Sequence, residues 1–69
     1  MTKPADAVGL LANAICWNID AAHVAREHGD RVRSEHHREL VHQLCAQVRV
    51  LGARGERVAR DAEMRMIES

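Results

Sequence analysis

The sequence predicts an all-α fold: an antiparallel helical hairpin with a long second helix, associating into a helical bundle. Three observations carry this expectation. Apolar residues recur at helical spacing along most of the chain, no stretch alternates with period two, and the apolar stripes of two segments match rung by rung.

The first helix is expected over residues 5–28. Pro4 stands where a first turn tolerates proline, Thr2 can cap, and Asp6 suits the positive end of a helix. "REHG", with Gly29 last, reads as a basic helix terminus closed by a glycine. A turn at 29–30 follows, and Asp30 or Ser34 can cap a second helix over 31–51. Stepping about 100° per residue gathers Val8, Leu11, Ala12, Ile15, Ile19 and Ala22 on one side of the first helix. The second helix gathers Leu40, Val41, Leu44, Val48 and Leu51, with Cys45 at the margin. An antiparallel hairpin then sets Val8 level with Leu51, Leu11 with Val48, Ile15 with Leu44, and Ile19 with Leu40 and Val41.

The last third is read less directly. "GARG", residues 52–55, is either a turn into a short third helix or a kink, since each glycine costs about 1 kcal/mol inside a helix. The stripe continues in phase through Gly55, Val58, Ala62 and Met66, which favours one long second helix reaching about residue 67. The whole chain is expected to form a single small helical domain, residues 1–69.

Composition narrows the function classes. A chain of 69 residues buries only about 60% of its unfolded surface, so a single core is marginal and a further stabilising element is expected. Two cysteines do not make a disulfide framework. The start, "MTKPADAVGLL", does not resemble a signal peptide, and no apolar run approaches a membrane span, so a cytoplasmic location with reduced thiols is expected. Ten basic residues balance ten acidic ones, which removes any general attraction to nucleic acid or an anionic membrane. Lys3 is the only lysine; with abundant Ala and Val this composition points to a GC-rich genome, bacterial or phage.

"SEHHRELVHQLC", residues 34–45, invites a metal reading because Glu39-x-x-His42 has the spacing of di-iron helix bundles. Those ligands must point inward, however, and Glu39, His42 and His36 lie away from the apolar stripe. His37 lies on the stripe as a packing residue at the hairpin end. The better metal candidates are Cys16, Asp20, His42 and Cys45, which project toward one edge of the hairpin, but no Cys-x-x-Cys supports them. No metal, cofactor or catalytic residue is assigned, and an enzyme is not expected.

One helix is apolar on two opposite sides. Besides its hairpin stripe, the first helix carries Leu10, Ala14, Trp17, Ala21 and Val24, leaving Asn13, Asp20, His23 and Glu27 as a narrow wet strip. Together with Val58, Ala62 and Met66, these residues form the expected partner-binding surface. A homo-oligomer, a dimer and hence a four-helix bundle in the first instance, is the expected partner state; another protein is the alternative. The function expected is a non-enzymatic, self-associating interaction module, a small regulatory or adaptor protein.

The competing class is DNA binding. "VRVLGARGERVARDAEM" resembles a helix-turn-helix, with Gly52 as the turn glycine and Val58 as the buried position six residues later. The resemblance implies that Arg54, Arg57 and Arg60 face phosphates or bases. The segment departs from the pattern at Val48, where a small residue is usual, and at Glu56, Asp61 and Glu63 in the reading helix.

Overall fold

The computed structural model describes residues 6–68, with the side chains described through residue 67. It contains three helices, α1 (Ala7–Glu27), α2 (Arg31–Arg49) and α3 (Ala53–Glu68), and no strand among the described residues.

Asp6 is the cap of α1: its Oδ1 accepts from the backbone N–H of Val8 at 3.1 Å, satisfying one of the free donors of the first turn. The expected cap and first-turn residues, Thr2 and Pro4, lie outside the described residues. α1 ends at a Schellman turn. The N–H of Asp30 donates to Ala25 O at 2.8 Å and that of Gly29 to Arg26 O at 3.0 Å. Gly29 takes φ +73°, a conformation that costs a residue with a side chain about 1 kcal/mol or more. Asp30 then caps α2 through Oδ1, which accepts from Arg33 N at 3.0 Å. Ser34, the other cap expected, is instead a buried residue of the first turn of α2.

α2 stops at Arg49, and this corrects the expectation of one long second helix. The N–H of Leu51 turns back to Val48 O at 3.1 Å, Gly52 adopts φ +109°, and its carbonyl accepts from Glu56 N at 3.0 Å to start α3. Gly55 explains how α3 can then lie against the end of α2. A Cβ at that position would stand 1.8 Å from the carbonyl oxygen of Val48, so only hydrogen fits. The in-phase stripe was a real property of the sequence, but any amphipathic helix has one, and here folding back satisfies it. Leu51, expected to extend the α2 stripe, lies exposed in the turn.

The core joins all three helices. Val8, Ile15 and Ile19 of α1 meet Val41, Cys45 and Val48 of α2, and Ala59, Ala62 and Met66 of α3 close the cluster. Leu11, Leu44 and Val58 pack against it partly buried. Each fully buried aliphatic side chain contributes about 1.5–3 kcal/mol, and the small residues of α3 let that helix approach closely. Ala62 and Met66, expected on a partner-binding surface, are therefore enclosed by this chain's own core, and Val58 is half-covered.

Candidate interaction face and the charged edges

α3 covers one edge of α1 and leaves the other open. The covered edge is marked by Arg65, whose Nη1 donates to Cys16 Sγ at 3.4 Å and whose Nη2 donates to Asp20 Oδ1 at 3.3 Å. His23, expected on the wet strip, is half-buried, and its Nε2 is enclosed without a hydrogen-bond partner among the described residues. Asn13 and Glu27 are exposed as expected of that strip.

The open edge carries Leu10, Trp17 and Val24, exposed to 57%, 66% and 53%. They recur every seven residues, so they align along one face of α1. Ala14 and Ala21, half-buried, alternate with them. α3 is present, yet it does not cover Trp17; its Arg65 reaches Cys16 and Asp20 instead.

Trp17 makes an aromatic contact with α2. Its ring stands edge-on to His37 of α2, with centroids 5.7 Å apart and planes at 75°. His37 is itself fixed from below, because its Nδ1 lies 2.9 Å from Oδ1 of buried Asn18, and Asn18 Nδ2 donates to Ala14 O at 2.8 Å. The second bond orients the amide, so its oxygen faces His37 and the proton of that bond must sit on the imidazole Nδ1. A chain of contacts therefore runs from the core through Asn18 and His37 to the exposed indole. Beside it, Trp17, Asp20, Ala21, Val24, Ala25, His28, Asp30, Arg33 and His37 line an open groove of about 720 Å³.

The sequence missed Asn18. It falls on the buried side of α1, three residues after Ile15 and four before Ala22, and a polar residue at a core position asks for a partner. His37, expected only to pack, supplies that partner.

The proposed metal edge is divided by α3. Cys45, expected at the margin, is buried with Sγ 4.0 Å from Ala59 O, whereas Cys16 is exposed; both thiols are free. Burial pushes the Cys45 thiol up, Glu63 adds to the rise and Arg49 opposes it. His42 is exposed, as are Glu39 and His36. No group of three or more His, Cys, Asp or Glu among the described residues is placed to hold a metal ion. Among the described residues no helix is long and apolar enough to cross a membrane.

Two of the three arginines of the helix-turn-helix reading, Arg54 and Arg60, are drawn into ion pairs. Arg54 Nη2 meets Asp6 Oδ2 at 2.6 Å, tying the start of α3 to the start of α1. Its hydrogen bond holds the Asp6 carboxyl below its usual range, partial desolvation opposes this, and the Val8 N–H assists. Arg60 pairs with Glu56 at 3.6 Å, and Arg49 bridges Glu56 at 3.3 Å and Glu63 more closely. The bond to Glu63 pushes the Arg49 guanidinium upward. Arg57 is exposed.

No protein-family model, curated protein or solved structure matches the chain.

Proposed function

We propose that this chain is a non-enzymatic helical protein–protein interaction module that self-associates through the outer face of α1 and acts as a small cytoplasmic regulatory or adaptor protein. The observation that carries the reading is the Leu10–Trp17–Val24 face. It remains exposed although a third helix was available to cover it, and its central indole stands against His37, which Asn18 orients. Tryptophan is enriched among the residues that anchor protein interfaces. The partner-binding surface is accordingly narrowed to Leu10, Ala14, Trp17, Ala21 and Val24. With three helices per chain, a dimer is a six-helix assembly rather than a four-helix bundle.

Solution mass against concentration tests this. The expected result is an oligomer whose melting temperature rises with protein concentration, because association stabilises only the folded chain. Trp17→Ala should cost about 2 kcal/mol or more and dissociate it, while Glu39→Ala should change stability by less than about 0.5 kcal/mol. A wild type that stays monomeric at high concentration refutes the reading.

The break at Gly52 and the half-burial of Val58 keep a helix-turn-helix DNA-binding regulator as the second reading. Against it stand the acidic partners of Arg54 and Arg60, which a phosphate would have to displace.

A further inference from the structure

We infer that the occupant of the α1 face is a second copy of this chain, paired antiparallel so that Trp17 of each copy enters the groove over Ala21 and Ala25 of the other. This rests on the interaction-module reading above and adds the partner's identity and the register.

The face is complementary to itself. Its seam reads Leu10, Ala14, Trp17, Ala21, Val24, His28. An antiparallel two-fold axis midway between residues 17 and 21 sets Trp17 opposite Ala21 of the partner copy and Ala14 opposite Val24. Leu10 then meets His28. At the two central rungs a large side chain faces an alanine, which allows two helices to approach without collision. A symmetric pair makes each contact twice, as an isologous interface requires.

The groove lies where this register needs it. Its floor of Ala21, Val24 and Ala25 begins four residues beyond Trp17, just over one helical turn or about 6 Å along α1. Trp17 forms the wall of its own groove and is held edge-on to His37, so it projects outward and reaches the groove of a partner copy. Two-fold symmetry then seats both indoles at once. Charge does not favour this placement: Asp20, near the axis, approaches its like-charged counterpart, and Arg65, 3.3 Å from Asp20 on each copy, offsets that repulsion.

The area fixes the class of dimer. The exposed parts of Leu10, Trp17 and Val24 amount to roughly 350 Å² per chain, and with the rest of the groove lining the pair buries on the order of 700–900 Å². That lies in the range of weak, transient interfaces, so the dimer should dissociate on dilution.

A size exchange tests the register. Trp17→Ala removes the anchor and Ala21→Trp fills the groove with a second indole. Each alone should weaken dimerisation by about tenfold or more in sedimentation equilibrium, with helicity by circular dichroism unchanged. The double variant Trp17→Ala/Ala21→Trp should recover dimerisation, because each new indole faces the space its partner vacated. As a second measurement, emission from the single tryptophan of the wild type should shift to the blue with rising concentration, at the same midpoint as the mass. A dimer that Trp17→Ala dissolves but the double variant fails to restore overturns the register and leaves the module reading standing. A dimer that forms with no emission shift overturns the placement of the indole. A wild type that is monomeric throughout overturns both this inference and the reading beneath it.

Discussion

Gly55→Ala and Gly9→Ala should change stability in opposite directions. Both glycines are helical, and alanine is favoured over glycine in a helix by up to about 1 kcal/mol. At Gly9 the nearest heavy atom to an added Cβ is Asp6 Cβ at 3.7 Å, an ordinary contact, so the preference acts unopposed. At Gly55 the Cβ would lie 1.8 Å from the Val48 carbonyl oxygen and 2.9 Å from its carbon. That oxygen is backbone, cannot rotate away, and already accepts from Leu51 N at 3.1 Å. Overpacking of this kind costs about 1–3 kcal/mol, and a backbone obstacle places it near the top of the range. The net expectation is a loss of about 2 kcal/mol at Gly55 and a gain of about 0.5–1 kcal/mol at Gly9. For a domain of this size each kcal/mol moves the melting temperature by about 4–8 °C, so thermal denaturation at one fixed protein concentration separates the two. A Gly55→Ala variant as stable as Gly9→Ala would refute the close approach of α3 to α2 and favour a continuous helix.

Asn18→Ala should cost about 1–3 kcal/mol by chemical denaturation, because it strands the His37 N–H, whereas Asn18→Leu with His37→Leu should lose much less; equal losses would contradict the pairing. Asp6 titrates below its usual value, so its pairing stabilises the fold above the unfolded-state pKa and is lost as the pH falls through the lower, folded value. In Arg54→Ala its pKa by NMR should rise toward the ordinary 3.8, and an unchanged value would count against the Arg54 contact. Duplex DNA should bind no tighter than nonspecific levels, about 10⁻⁴ to 10⁻⁶ M at physiological salt. A sequence-specific mobility shift at nanomolar protein would promote the helix-turn-helix reading instead.

Helix class was legible because the apolar spacing of Val8, Ile15 and Ile19, and of Val41 and Val48, admits no other element. The α1–α2 turn was legible because Gly29 and Asp30 carry their own geometry: a left-handed closure and a cap. The Gly52 turn was harder to read. Its glycine competed with a stripe in phase across it, and phase alone does not distinguish a helix that continues from one that folds back. The decisive fact, the absence of space for a Cβ at Gly55, is tertiary and has no signature in local spacing. Cys16 and Cys45 looked equivalent for the same reason; α3 lays Ala59 over Cys45 and buries it, while Cys16 meets only the exposed side chain of Arg65. The Trp17 face was visible in the sequence as a second apolar side of one helix. Its companions were misassigned: Ala62 and Met66 share its apolar character but already have a home in the core.

The turn at residues 50–52 also makes α3 exchangeable. α2 and α3 carry stripes in register, so straightening the connection would produce a single amphipathic rod from Arg31 to Glu68. The released α3 would find the same cleft, lined by Cys45 and Val48, vacant on a neighbouring molecule that had opened in the same way. Such three-dimensional domain swapping forms every core contact again between chains, so the two forms differ mainly in the strain of the hinge and in the concentration of protein. Gly52, at φ +109°, therefore does more than end a helix. A residue that prefers to continue the helix there would shift the chain toward an intertwined assembly whose core is native and whose connectivity is not.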